Sequence, residues 1–272
     1  MKRLFLTLAL CLGFGSINPV HAQNMSWSTL NNRIIELCRQ GETYQAIQVA
    51  QQALQMAEQS CGQNHPLVAL SLNNLALLYK TQGQYAKAMP LYERALKIKE
   101  KDLDKENASI ALTLNNLAAL HRSEGNYAKA KSYYKRALKI KEKDLGPDHL
   151  SVALSLNNLA ELYCAEGKYK TAKPLYQRAL HIRETQLGQD HLSVTLSLNN
   201  LAELYVNQEA YDQAEPLYTR ALAIQKQRLG PNHPVVAAAL KNLANVYAQI
   251  NQPDKAAKLY EQAQAIQSKP GQ

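Results

Sequence analysis

Phenylalanine is almost missing from this chain: there are two, Phe5 and Phe14, and a single tryptophan, Trp27, against fifteen tyrosines. Both phenylalanines lie in the first fourteen residues, so the rest of the chain fills its aromatic positions with Tyr, and something constrains where those Tyr stand. Long apolar runs are scarce too. After the first twenty-two residues no segment is apolar enough to cross a bilayer, which takes about twenty residues. Also missing are a phosphate-cradling glycine loop, a nucleophile paired with a base, and a cluster of metal-ligand residues. The carboxylates are scattered among lysines. These absences exclude a self-contained enzyme, so no catalytic residue, metal ligand, cofactor or small-molecule substrate is assigned. The 272 residues, 46% hydrophobic and 19% charged, are enough to bury a core of the ordinary globular kind.

The first twenty-two residues form an address. Lys2 and Arg3 give a positive start, Leu4 to Phe14 is apolar apart from Thr7, and Val20 and Ala22 are small enough for the −3 and −1 sites of a signal peptidase. Cleavage after Ala22 is expected, leaving Gln23 as the mature start and a periplasmic or secreted protein without a transmembrane segment. The alternatives are an uncleaved anchor and lipid attachment at Cys11; the bulky Leu10 before that cysteine argues against the second. The formal net charge of +9 falls to +7 without Lys2 and Arg3. A basic chain invites a nucleic-acid reading. Export takes the chain away from nucleic acid, and mixed runs such as Lys97-Ile98-Lys99-Glu100-Lys101-Asp102 are typical of a solvated helix face. No nucleic-acid partner is expected.

What the chain does have is an internal repeat. Asn-Asn-Leu-Ala occurs at Asn73–Ala76, Asn115–Ala118, Asn157–Ala160 and Asn199–Ala202, each 42 residues after the last, and Lys241-Asn242-Leu243-Ala244 follows in step. Tyrosines keep the same beat in three columns: Tyr85, Tyr127, Tyr169 and Tyr211; Tyr92, Tyr134, Tyr176, Tyr218 and Tyr260; and Tyr79, Tyr163, Tyr205 and Tyr247, with His121 as the exception. Thirteen of the fifteen Tyr are in these columns, and so they read as core positions of a repeated unit.

Each unit reads as two helices. From Leu150 to Ala165, Val152, Leu156, Leu159, Ala160, Leu162 and Tyr163 recur at helical spacing. Gly167 suits a left-handed turn, and a second stripe runs from Tyr169 to Leu187 before Gly188. Alanine columns through Ala160, Ala172 and Ala179 let the helices approach to roughly 8 Å. No unit covers its own apolar faces, so units must stack.

The pattern L-x-N-L-A-x-L-Y-x₃-G-x-Y-x₂-A-x₂-L-Y-x-R-A-L resembles the tetratricopeptide consensus. The 42-residue period, with linkers such as Leu145-Gly146-Pro147-Asp148-His149, is similar to the kinesin light chain subtype. The fold this implies is all-α: a right-handed α-α superhelix, or solenoid, of about six helix-turn-helix repeats. Residues 1–22 are then the signal peptide, 23–65 a degenerate capping repeat, 66–268 five repeats, and 269–272 a short tail. In the capping repeat Arg33, Thr43 and Ala50 replace motif residues, while Gly41, Ala46, Ala53 and Leu54 still align. In the last repeat Pro253 replaces a Tyr and Gln264 a Leu, as suits an exposed terminal helix; the alternative is that a partner or a second copy covers this end.

His65, His149, His191 and His233 share one repeat position, a whole unit apart, so they do not converge on a metal and fit helix starts or linker packing. Among Cys38, Cys61 and Cys164 no pair looks bridgeable. Cys38 and Cys61 end successive helices of one hairpin, at opposite ends of a helix about 25 Å long. The asparagines remain. By resemblance to peptide-binding members of the family, Asn74, Asn116, Asn158, Asn200 and Asn242 project from the first helices into a concave groove. An amide there offers donors and an acceptor to the main chain of an extended peptide. Asn73, Asn115, Asn157 and Asn199 are second-line candidates. The other reading is that these Asn bond between neighbouring helices and only fix the stack. One turn further on come Leu77, Ala119, Glu161, Glu203 and Asn245, with Lys80 and Arg122 beyond, so the early half should prefer apolar or acidic side chains and the later half basic ones. The expected function is an exported scaffold or adaptor that holds an extended segment of a partner protein. The alternative is a structural subunit of a cell-envelope or secretion assembly, using its convex face or its ends.

Overall fold

The computed structural model describes residues 26–102 and 107–268; the signal peptide and the short tail read from the sequence lie outside the described residues. Within these there are twelve α-helices and no strand. They fall into two compact units, Met1–Lys105 and Glu106–Gln272. The first holds α1 (Trp27–Gln40), α2 (Thr43–Cys61), α3 (Pro66–Thr81) and α4 (Tyr85–Asp102). The second holds α5 (Ala108–Ser123), α6 (Tyr127–Leu145), α7 (Leu150–Ala165), α8 (Tyr169–Leu187), α9 (Leu192–Val206), α10 (Tyr211–Leu229), α11 (Pro234–Gln249) and α12 (Pro253–Gln267). Inside each unit every helix packs on the one before and the one after it, so the helices form six consecutive hairpins. In the second unit α5 also touches α7, and α7 touches α9, while no two even-numbered helices come as close. The odd-numbered helices therefore line the inner side of that unit.

The helix ends follow from a few residue types. His65, His149, His191 and His233 are N-caps: the imidazole Nδ1 of each accepts from the backbone N–H two residues on, at 3.1 to 3.2 Å. Asn107 does the same work ahead of α5, its Oδ1 accepting from Ser109 N at 2.8 Å. A side-chain cap of this kind satisfies one orphan amide and is worth about 1 kcal/mol. After α3, α5 and α7 the chain turns through glycines with φ of +71° to +75°, the left-handed region that costs glycine nothing. After α9 the same turn is made by Glu209 at φ +57°.

Alanine lets the helices close on one another. Ala118, Ala130, Ala160, Ala172, Ala202 and Ala214 are all fully buried, with Leu117, Leu156, Leu162 and Leu198 filling the space between them. Of the three tyrosine columns only one is core throughout its interior copies: Tyr92, Tyr134, Tyr176 and Tyr218 are buried. The other two are mostly half-buried because the ring covers a seam while the hydroxyl reaches water or a polar neighbour. Tyr247, for example, donates to Glu215 Oε1 at 2.7 Å, and a lysine lies over its ring. At the last hairpin the buried column opens: Tyr260 on α12 is 39% exposed because no further helix follows it among the described residues.

Candidate functional site

The paired asparagines point to two different faces of the odd-numbered helices, since adjacent helical residues are about 100° apart. The first of each pair is turned inward. Asn73, Asn115 and Asn157 are buried, and Asn199 is half-buried. Asn115 Nδ2 donates to Ser155 Oγ on α7 at 3.2 Å. With its amide turned so that the oxygen faces α8, Asn157 accepts from Nη1 and Nη2 of the buried Arg183 at 3.1 and 3.3 Å. Arg183 also donates to Ser197 Oγ on α9. Arg183 belongs to a buried polar column with Lys99, Lys141 and Gln225, each 42 residues from the next. Helix-to-helix bonding, the second of the two roles open to the asparagines, is thus the role of Asn115 and Asn157.

The second asparagine of each pair faces the other way. Asn74, Asn116, Asn158, Asn200 and Asn242 are all half-buried. In the first unit Asn74 Nδ2 is occupied, donating to Asn31 Oδ1 on α1 at 2.8 Å. In the second unit the amides of Asn158, Asn200 and Asn242 have no side-chain hydrogen bond among the described residues. They stand in a row across α7, α9 and α11.

Two further rows flank them. Four residues before the asparagines, hence one turn away, Leu112, Leu154 and Leu196 are exposed; Leu154 and Leu196 are 48% and 47% exposed. On the other side, three residues after Asn158 and Asn200, stand Glu161 and Glu203. Between α5, α7, α8 and α9 a cavity of about 260 Å³ opens, lined among others by Arg122, Glu161, Tyr176, Asn200, Glu203 and Asn207. Arg122 and Glu161 pair across it at 2.6 Å. Burial is the largest single influence on Arg122 and works to lower its pKa, but the bond to Glu161 and the electrostatic pull of Tyr134, Glu161 and Tyr176 together outweigh it, and the guanidinium ends above its ordinary value. Burial first, and then the nearby Cys164 and the two glutamates, push the Tyr176 hydroxyl well above the usual phenol range. Cys164 also rises, chiefly by burial; the hydrogen bond with Tyr176 works against that, and the charges of Glu203 and Glu161 add to it. Among the described residues no group of three or more His, Cys, Asp and Glu is placed to hold a metal ion, and Cys38, Cys61 and Cys164 are free thiols.

The profile of the tetratricopeptide repeat family matches residues 28–101, 109–185 and 193–269. The chain belongs to the tetratricopeptide repeat family. This is a scaffold fold that commonly mediates binding between proteins, and the matched residues make up most of the sequence. Among solved structures the tetratricopeptide chain is similar to BtubC (BKLC) from P. vanneervenii, at 26% identity and a TM-score of 0.69, covering 88% of this chain and 91% of that one. It is also similar to a Podosopora anserina protein with nearly identical TPR-like repeats of the kinesin light chain kind, at 30% identity and a TM-score of 0.67, covering 75% and 97%. A tetratricopeptide repeat protein from Parabacteroides merdae shares the fold at 19% identity and a TM-score of 0.59, covering 90% and 80%. No curated protein matches the chain.

Sequence reasoning picked out the asparagines but missed the leucine row beside them. The signal was available: Leu112, Leu154 and Leu196 keep the 42-residue beat one helical turn before Asn116, Asn158 and Asn200. In the stretch from Leu150 to Ala165 the two turns of core leucine mask it, because a leucine repeating in step reads as core until its neighbours are placed. Tyr176, a core position by its column, is buried and also lines the cavity.

Proposed function

We propose that this tetratricopeptide protein is an exported adaptor that holds an extended segment of a partner protein across α7, α9 and α11, with Asn158, Asn200 and Asn242 bonding to the segment's main chain. The observation that carries this reading is the row of three half-buried amides with no side-chain hydrogen bond among the described residues, on the inner side of the second unit and beside a row of exposed leucines. Half-buried amides left without partners are costly unless water or a ligand satisfies them. Amides on successive helices, roughly 8–10 Å apart, match about three residues of extended chain. Each such bond contributes about 0.5–1.5 kcal/mol net, and together with leucine burial several of them reach micromolar affinity, roughly −8 kcal/mol. Export rests on the sequence of residues 1–22. No helix of the described residues is long and apolar enough to cross a membrane.

The test is crosslinking of the full chain in cells, followed by mass spectrometry, with Asn158, Asn200 and Asn242 changed together to Ala. Partner recovery should fall at least tenfold while the helical circular dichroism and the melting midpoint stay close to those of the parent. Undiminished recovery would rule out the amide row as the binding face.

A further inference from the structure

On the same face, the cavity between α7 and α9 carries a charge that no side chain among the described residues meets. Arg122 and Glu161 neutralise each other across it. Glu203, one turn after Asn200, has neither an ion pair nor a side-chain hydrogen bond among the described residues, and its carboxylate is exposed at the cavity mouth. The raised Cys164, Tyr176 and Tyr218 groups, each driven first by burial, all sense the Glu203 charge as well. The free charge of the cavity is therefore negative, and at about 260 Å³ it is far roomier than the ~10–15 Å³ that a single water requires.

The order of residues along α7 and α9 sets the rest. Each helix presents leucine, then asparagine, then glutamate: Leu154, Asn158 and Glu161 on α7, and Leu196, Asn200 and Glu203 on α9. A segment that crosses these helices with its main chain on the asparagines has the leucine row along one edge and the glutamate row along the other. Side chains of an extended chain alternate between its two sides. Neighbouring residues therefore meet opposite rows.

Resting on the amide-row reading above, we infer that the bound segment carries a lysine or arginine that enters the α7–α9 cavity to face Glu203, and an apolar residue an odd number of positions away that lies on Leu154 and Leu196. The occupant is a basic, apolar-flanked peptide segment of a partner. An acidic segment would place like charge on Glu203 and find Arg122 already engaged by Glu161.

The experiment uses the full chain and a displayed library of random twelve-residue peptides. Selected peptides are then made with a fluorophore, and their affinity is read by anisotropy for the parent, Glu203→Gln, Glu203→Lys and Asn158→Ala/Asn200→Ala. Selected sequences should share a Lys or Arg with an apolar residue one or three positions away. Glu203→Gln should weaken binding about threefold and Glu203→Lys about tenfold. Replacing the shared basic residue by Gln should weaken binding to the parent and abolish the response to Glu203→Gln. If selected peptides lose affinity for the Asn158→Ala/Asn200→Ala chain but carry no basic residue, or ignore Glu203→Lys, the cavity assignment is wrong while the amide row stands. If no peptide is selected, or affinity ignores the asparagines, the amide row falls and this inference falls with it.

Discussion

The inward and outward faces of the same helices use the same residue type for opposite purposes. On α7, Asn157 is 1% exposed and accepts from the buried Arg183 on the next helix, whereas its neighbour Asn158 is half-buried and its side chain makes no hydrogen bond among the described residues. A rotation of about 100° separates them. The inward asparagine replaces water for a buried cation; the outward one keeps water, or a ligand, as its partner. The lesson is that a repeated polar motif is not evidence for binding until its faces are separated. A repeat multiplies structural and functional residues alike, since both return every 42 positions.

The largest expected effect breaks the inward face. Asn157→Ala removes an acceptor from Arg183 while that guanidinium stays buried, and it should cost about 2–3 kcal/mol of unfolding free energy in a guanidinium titration followed by circular dichroism. The change one residue on, at Asn158, should stay within about 0.5 kcal/mol. Equal losses at the two positions would remove the distinction between the faces.

A smaller effect, of opposite sign, comes from the same buried column on α6. Lys141 is 6% exposed, donates to Ser151 O at 3.2 Å, and has its pKa pushed down by burial from 10.5 to about 8. Below pH 8 the lysine is charged in both states, and burying that charge opposes folding. Between pH 8 and 10.5 the unfolded chain binds more protons than the folded one, so stability rises with pH; above 10.5 the penalty is gone. Lys141→Met should therefore stabilise the protein at pH 7 by about 1–2 kcal/mol, with the gain fading as the pH approaches 10.5. A variant less stable than the parent at pH 7 would show that the Ser151 bond outweighs the cost of burying the charge.

Much of the fold was legible because spacing is a direct record of packing. The 42-residue beat gives the hairpins, the alanines give the close approaches, and the stripe from Leu150 to Ala165 spans the residues of α7. The histidines were legible as helix starts by position, though not the Nδ1 bond that makes them caps. The site was legible only in part. Sequence places Asn157 and Asn158 side by side but does not say which of them meets Arg183, because that contact joins residues 26 apart whose helices must first be docked. It placed Glu161 and Glu203 near the asparagines, but not the Arg122 pairing that neutralises one and leaves the other free. Nor did it show Tyr260 opening at the last hairpin, since the residue type is the same as in the buried copies.

The smallest expected effect leaves both faces alone and tests the turn between them. Gly125 and Gly167 take φ of +75° and +71° after α5 and α7, and Glu209 takes +57° at the matching turn after α9. A side chain in the left-handed region costs about 1–2 kcal/mol. Glycine would remove that strain but would add back roughly 0.5–1 kcal/mol of unfolded-chain entropy. Glu209→Gly should thus stabilise the protein by about 0.5 kcal/mol, raising the denaturation midpoint slightly, and peptide affinity should not change. If affinity does shift, the turn after α9 helps to set the position of Asn200 and Glu203, and the binding face is tuned from the helix end as well as from its surface.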